Sequence, residues 1–496
     1  MGSAVVGAVA MRLARQIRQG TLMRVEKSFP PHDCPDMNVR HRNGRATVGQ
    51  GDPGKRVNGI SAVLTPPLPD VKAAGTLGVS SGDPGLMRSA IVLGAGMVGV
   101  ATALHLKRLG WSVALIDRKA PGQETSYGNA GIIQSEALKP YPMPHDWLSL
   151  ARIAMGRTND VRYQIASLPH HIGPLLRYWW NSRPAHYERI SAAHARIIAL
   201  AANAHDELIR ESGAGNLVQR DGYRVLHRQQ AAFDAEVAAA EALRTAFGAK
   251  FSVLTRGDLA QAEPGLVETG LGGLHWQDPW TVSNPGALVT AYANLFQRLG
   301  GTILTGDAAT LVVRGGGWSV TASAGPIEAE AAVVALGPWS PEFLKRFGCK
   351  FSMVRKRGYH RHYAGGSLLR QPLRDAAFGY VMAPMAKGLR ITTGAELSAP
   401  NAGLTPIQLE SAEAAAKTLI DLGKPIEPQP WLGTRPCMTD MLPVLGPTAC
   451  QAGLWMHFGH GHQGFTLGPT TARILAELMS GQAPIVDPSP YRPDRF

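Results

Sequence analysis

Cysteine is scarce in this 496-residue sequence: Cys34, Cys349, Cys437 and Cys450 are the four present, they lie far apart, and no Cys-x-x-Cys pair occurs. That spacing offers neither a zinc site nor a redox dithiol, and it fits a reducing compartment. Long apolar runs are missing as well. Every apolar stretch is broken by charge, glycine or proline well before the roughly 18 residues that a membrane span needs. Acidic residues are in deficit, with 37 Asp and Glu against 50 Lys and Arg and a formal net charge of +13. The basic residues are scattered and not gathered into a stripe, so nucleic acid is not expected as a partner; contact with an anionic surface or an acidic solute suits the balance better. No solenoid-type repeat is present, and no obvious catalytic triad or carboxylate pair stands out.

What is present is an ordinary globular composition, 45% hydrophobic, long enough for a large core and about two to three domains. The first 86 residues stand apart. They are rich in Gly, Pro and Arg, as in "HDCPDMNVRHRNGRATVGQGDPGKRVNG", and hold no sustained period of 2 or 3.6, so they are not expected to fold by themselves. Their start, "MGSAVVGAVAMRLARQIRQG", places its apolar run ahead of Arg12, Arg15 and Arg18, the reverse of a secretory signal. The expectation is that translation begins at Met87 and that 1–86 is an extension upstream of the fold.

From Ser89 to Leu93 a short apolar run predicts a buried strand. Gly94 to Gly99 turn into a helix with Val98, Ala101, Leu104 and Leu109 as apolar positions and Gly110 as its stop, and Ser112 to Ile116 predict a second strand. Further on, "AHARIIALAANAHDELIRES" and "QQAAFDAEVAAAEALRTAF" read as helices, and "NPGALVTAYANLFQRLG" from Asn284 to Gly300 as a helix with proline in its first turn. Strand patterns resume after it, Phe351 to Glu396 is strand-rich, a helix is expected from about Thr405 to Leu422, and the chain closes with strand, glycine-rich turn and a helix ending near Gly481.

Gly94, Ala95, Gly96, Met97, Val98 and Gly99 form G-x-G-x-x-G directly after a strand and at a helix start. The first glycine allows the tight turn, the second lets the backbone approach a pyrophosphate, and the third permits close helix–strand packing; the helix N-terminus adds free N–H groups and partial positive charge. A glycine turn can also serve packing alone. Here the preceding strand, the following helix, and Asp117 with Arg118 about twenty residues on supply the context of a dinucleotide site. A carboxylate at Asp117 suits ribose hydroxyls, which fits FAD or NAD and disfavours NADP; the fingerprint does not choose between the first two.

The choice comes from three separated segments: "ETSYGNAG" from Glu124 to Gly131, "GTRPCMTDMLPVLG" and "FGHGHQGFT". On these the chain resembles the D-amino-acid oxidase superfamily of FAD-dependent oxidoreductases, and within it the bacterial D-amino-acid dehydrogenase small subunits. The group's "TSxANAG" is met by Thr125, Ser126, Asn129, Ala130 and Gly131, with Gly128 departing. Its "GLRPMTPDGxPxxG" is met by Gly433, Arg435, Pro436, Asp440, Pro443 and Gly446, and its "TGHGTLGWT" by Gly459, His460, Gly461, Gly464 and Thr466. The resemblance runs from about Arg88 to Asp487 and leaves the first 86 residues outside.

The resemblance implies FAD as cofactor and a mixed α/β and α+β fold: a Rossmann-like FAD-binding domain interleaved with a substrate domain on an antiparallel sheet with helices. The expected division is FAD binding over 87–140, 284–345 and 431–496, and substrate binding over 141–283 and 346–430. Ser126 and Asn129 to Gly131 would run along the pyrophosphate toward the flavin. Ala335 and Gly337 correspond to a strand returning to the cofactor, with Trp339 following it, and Gly459, His460, Gly461, His462, Gly464 and Phe465 precede a helix whose N–H groups favour negative charge at the pyrimidine end. His457, His460 and His462 alternate in a way that can chelate, but the family keeps the histidine without a metal and no carboxylate cluster adjoins, so no metal is expected.

Arg435 is the candidate for the substrate carboxylate, because guanidinium is a planar bidentate donor; the alternative is pairing with a carboxylate such as Asp440. Tyr359, His360 and Tyr380 are candidate substrate contacts, with packing as their alternative. The implied reaction is oxidation of a D-amino acid to a 2-oxo acid and ammonia, with electrons passed to a quinone or carrier, or to dioxygen. The alternatives are a secondary amino acid such as D-hydroxyproline or D-proline, sarcosine, glycine, or a flavin-binding subunit without turnover of its own. A cytoplasmic location is expected, with peripheral contact at the inner face of the cytoplasmic membrane.

Overall fold

The computed structural model describes residues 88–155, 161–399 and 401–496; the extension over 1–86 and the start at Met87 lie outside the described residues. In the strand Ser89–Leu93, Ala90 and Val92 point into one apolar core while Ile91 and Leu93 point into another. A strand covered on both faces has no room for polar alternation, and this accounts for the continuous apolar run in the sequence.

This strand lies in a six-stranded sheet among the described residues. Ser112–Asp117 and Ala331–Val334 flank it in parallel, Thr302–Thr305 and Leu454–Phe458 extend the parallel order, and Val444–Pro447 closes one edge antiparallel. Helices Met97–Arg108, Pro285–Arg298 and Gly464–Met479 cover one face. A three-stranded meander, Val312–Arg314, Gly317–Ala322 and Gly325–Ala329, covers the other through Trp318 and Val320. The sheet is therefore assembled from three stretches of chain, with long excursions between them.

The excursions build an eleven-stranded sheet among the described residues. Its centre is the long strand Met353–Gly365, which pairs antiparallel with Gly388–Thr392 and with Trp431–Met438. Pairing is mostly antiparallel, with parallel pairs where Leu373–Asp375 meets Tyr223–His227 and where Ala395–Leu397 meets Val161–Tyr163. Two helices differ from the sequence expectation. The one placed over Thr405 to Leu422 is Ile407–Ala416, because the Thr418 hydroxyl and Arg228 Nη2 donate to the Ala415 carbonyl (2.7 and 3.2 Å) and end the ladder. The stretch read as one helix near residue 200 is two, Pro184–Ile198 and Ala201–Ser212.

Candidate functional site

Four strands of the parallel sheet end at residues that line one cavity: Gly94 follows Leu93, Asp117 ends its strand, Ala335 follows Val334, and Gly459 follows Phe458. Ligands of open α/β sheets sit at these carboxyl ends. The cavity holds about 890 Å³ and continues from this edge to the face of the long strand Met353–Gly365, a volume within the ~300–1,000 Å³ typical of cofactor and ligand sites.

At the first end the wall is main chain, and each glycine of the turn has its own reason. Gly94 has φ of 105°, and a Cβ there would lie 2.5 Å from the Ala335 carbonyl oxygen; one on Gly99 would lie 1.8 Å from the Gly94 oxygen. Gly96 is different. A Cβ on it would meet only the Ser126 Oγ, at 3.4 Å, so that position faces the cavity and not the protein. Helix Met97–Arg108 has no side-chain cap at Gly96, and its first turn leaves N–H groups without intrahelical acceptors. Ser126 Oγ takes one of them, from Met97 N at 3.0 Å. The rest meet the demands of a bound diphosphate.

Asp117 is oriented by two backbone donors, Ala95 N to Oδ2 at 2.7 Å and Lys119 N to Oδ1 at 3.0 Å, so it ties the glycine turn while lining the cavity. Arg118 lies over the Trp339 ring at 4.7 Å and pairs with Glu124 at 2.8 Å, closing the same end with an aromatic plate. Asn129 Oδ1 accepts from Gly131 N at 2.8 Å, which shapes the 124–131 segment from within. Arg390 reaches that segment from the other sheet and donates Nη1 to the carbonyls of Tyr127 (2.9 Å) and Asn129 (2.6 Å). These residues fit a dinucleotide flavin: a cradle of main-chain N–H groups and the Ser126 hydroxyl for the pyrophosphate, a fixed carboxylate for the ribose, and a flat wall for the adenine.

The Gly459–Phe465 loop is locked from below. Gly459 has φ of 84°, and Gly461 N donates to the Pro436 carbonyl at 2.9 Å. The imidazoles of His457 and His460 both lie within hydrogen-bond distance of Thr471 Oγ1, at 2.8 and 2.9 Å, and His457 also meets Thr102 Oγ1 at 2.7 Å. Burial holds His460 neutral, its pKa pushed down to about 3, and drives His457 and His462 well below the usual imidazole range. The loop thus presents the N-terminus of helix Gly464–Met479, with Gly464 and Phe465 on the cavity wall.

At the far end the wall is made of side chains. Arg435 is half-buried and lies across Gly358, where a Cβ would sit 2.6 Å from its Nη1. Its Nη1 and Nη2 donate to the carbonyls of Gly394 (2.6 Å) and Thr393 (2.8 Å), leaving three of guanidinium's five N–H groups. The alternative pairing with Asp440 does not occur, since Asp440 is held by Arg495 Nε at 2.6 Å. Tyr141, Tyr223, Lys356 and Arg374 complete this end.

Most residues expected from the sequence line this one cavity; Ala95, Gly99 and Gly131 stand just behind its wall. The three aromatic candidates fare differently. Tyr359 touches the cavity, but its hydroxyl donates to Glu396 Oε2 (2.8 Å) and accepts from Arg357 Nη2 (2.7 Å), so it is engaged inside the protein. His360 lies off the wall, stacked on Trp431 at 4.7 Å, and burial, with the Arg390 charge behind it, pushes its pKa down to about 2. Tyr380 also lies off the wall, in the apolar core with Leu226 and Met382. Residues the sequence reading passed over are Lys356, Arg374, Arg390 and Tyr223. Their positions follow from strand pairing, for which no local motif exists.

The chain matches the FAD dependent oxidoreductase (DAO) family over residues 89–478. It is 28% identical over 421 residues to a D-amino-acid oxidase of Bradyrhizobium diazoefficiens, covering 82% of this chain and 99% of that protein. It is 30% identical over 413 residues to a D-amino acid dehydrogenase of Sinorhizobium medicae, covering 80% and 97%. Among solved structures, the glycine oxidase of Geobacillus kaustophilus superposes with a TM-score of 0.61 at 19% identity, covering 83% of this chain and all of that one, 100%.

Proposed function

The chain belongs to the FAD dependent oxidoreductase (DAO) family, and from that premise we propose that it is a D-amino-acid dehydrogenase, converting a D-amino acid to its imino acid, which water hydrolyses to a 2-oxo acid and ammonia. As a family member it is an FAD-dependent oxidoreductase. When bound, FAD supplies the acceptor for the hydrogen and electron pair that leave the substrate α-carbon.

The observation that carries the reading is Arg435, a cavity-wall guanidinium with donors to spare and, among the described residues, no carboxylate partner. It suits the α-carboxylate of an amino acid, which it would grip in a bidentate fashion and so fix the α-carbon in place. Gly94 to Gly99, Asp117, Arg118, Ser126 and Asn129 to Gly131 would hold the dinucleotide. Ala335, Gly337 and Trp339 would flank it, and Gly459 to Phe465 would direct helix N–H groups at its anionic end. Orientation of this kind needs no strong base, and a neutral amine lone pair at the α-carbon assists departure of the hydrogen.

For the electron acceptor, a quinone or carrier is favoured by the likeness to relatives named dehydrogenases. Peripheral contact with an anionic leaflet belongs to the same reading. No helix among the described residues is long and apolar enough to cross a membrane. Yet Trp147, Leu148, Leu176 and Trp180 are at least half exposed, on two helices that also carry Arg152 and Arg177. Such a mixture of aromatic, aliphatic and basic side chains suits a headgroup interface.

The test is an anaerobic panel of amino acids read by loss of the flavin's visible absorbance. At least one D-amino acid is expected to bleach it, and absence of bleaching by every amino acid would favour a binding protein. Arg435→Ala is expected to keep the flavin and raise KM by about 10²–10³-fold, as for loss of a desolvated charge-assisted contact; an unchanged KM would remove Arg435 from the site.

A further inference from the structure

Resting on the reading just given, we infer that the substrate is an acidic amino acid, and that Lys356 beside Arg435 receives its second carboxylate. Lys356 and Arg435 are direct cross-strand partners in the antiparallel pair Met353–Gly365 and Trp431–Met438. Directly opposite residues project from the same face of a sheet with Cβ atoms about 5 Å apart, and like charges in that position are destabilising. Both residues line the cavity.

Among the described residues no carboxylate pairs with either cation. The third cation at this end, Arg374, is already neutralised by Glu236 at 2.5 Å. The Lys356 ammonium instead lies over the Tyr178 ring, 4.7 Å from its centroid, a contact that steadies a cation without cancelling its charge. The acids that do line the cavity, Asp117, Glu124, Asp307 and Glu342, gather at the other end around Arg118 and Trp339. Charge is therefore segregated along the cavity, acidic where the ribose is expected and doubly basic where the substrate is expected.

A zwitterionic amino acid brings one carboxylate, which Arg435 satisfies, and one amine, which a second cation repels. A neutral side chain would leave Lys356 as an uncompensated charge, half-buried on the cavity wall. A side-chain carboxylate removes that cost and gives the ammonium a charge-assisted partner. The chemistry fits D-aspartate or D-glutamate better than their amides or aliphatic counterparts.

The test uses the holoenzyme and isosteric pairs. For D-glutamate against D-glutamine the expected kcat/KM ratio is about 10- to 100-fold in favour of the acid. Glutarate is expected to perturb the flavin spectrum at about tenfold lower concentration than its monoamide. Lys356→Met should collapse both ratios toward one and Lys356→Arg should retain them, with flavin content reporting that each variant folds. Equal kcat/KM for D-glutamate and D-glutamine together with equal binding of glutarate and its monoamide overturns the inference and leaves the deaminating reading intact. So does a Lys356→Met variant that weakens both members of each pair by the same factor, because Lys356 then shares the single α-carboxylate with Arg435. If no amino acid bleaches the flavin while glutarate is still preferred and Lys356→Met abolishes the preference, the inference stands and the deaminating reading fails.

Discussion

At the Gly94–Gly99 turn the cavity wall is main chain, contributed by a continuous stretch of sequence, whereas under the long strand Met353–Gly365 it is side chain, contributed by strands far apart in the chain. The first end recognises largely by leaving atoms out: amides and a helix terminus face a space bordered by few side chains, Ser126 and Asp117 among them. The second recognises by putting atoms in, with Arg435 lying across the space left by Gly358 and Lys356 beside it as its cross-strand partner. The two ends should accordingly fail in opposite ways, the first on addition of a side chain and the second on removal of one.

The largest expected effect is at the first end. Gly96→Val adds methyl groups toward the cavity, where the protein itself offers only Ser126 Oγ at 3.4 Å as a neighbour. The variant is expected to fold and to lose FAD altogether, measured as a colourless protein with an apoprotein-like melting profile. Gly99→Val sharpens the contrast, since its Cβ would strike the Gly94 oxygen at 1.8 Å and unfold the turn itself. Retained yellow colour in Gly96→Val would break the idea that this end works by vacancy.

The same contrast explains what could be read from the sequence. Gly94, Gly96, Gly99 and Asp117 lie within one strand–helix–strand unit, so spacing alone places them, whereas the Rossmann-like sheet and the strand returning near Ala335 come through the resemblance to the family. Arg435 was reachable through the segment that resembles the family's. Lys356 was not. A period of two tells which residues share a face but not which strand lies alongside, and the partnership of Lys356 with Arg435 is a matter of register across 79 residues' separation. The same ignorance of register made Tyr359, His360 and Tyr380 look alike, although one turns its hydroxyl to Glu396, one stacks on Trp431, and one sits in the core.

Arg390 joins the two ends, and its loss should produce an intermediate effect. Its Nη1 donates to the Tyr127 and Asn129 carbonyls, while its Nε donates to His362 Nε2 at 2.9 Å. Burial lowers its pKa to about 10, so it stays charged at neutral pH. Arg390→Met leaves two carbonyls unpaired at about 1–3 kcal/mol each if they stay dry. The expected outcome is a 124–131 segment that holds FAD about 100-fold more weakly, with the affinity recovered only in part by Arg390→Lys, whose ammonium can stand in for Nη1 but has no counterpart of the Nε–H that anchors the side chain on His362. Fluorescence titration of the apoprotein with FAD checks it, and an unchanged Kd would mean that the segment is shaped from its own end alone, by Asn129 and Ser126.

The smallest effect lies at Glu136, which touches both ends through its neighbours. Its Oε1 accepts from Gln134 Nε2 at 3.0 Å and from the Tyr223 hydroxyl at 3.1 Å, and Gln134 in turn accepts from Gln463 Nε2 at 3.1 Å. Burial raises the Glu136 pKa to about 7, whereas an unfolded chain releases that proton near pH ~4.3. Between those values the folded state keeps a proton that the unfolded state has lost, so stability falls as pH rises and levels off above the folded pKa. From pH 5 to pH 7 the loss is about 2 kcal/mol. Glu136→Gln keeps the acceptor and does not titrate, so its urea midpoint should fall less than the wild-type midpoint over that interval, leaving the variant the more stable protein at pH 7 relative to pH 5. Identical pH slopes in the two proteins would show that Glu136 ionises freely, and that the joint between the two ends is wetter than its burial implies.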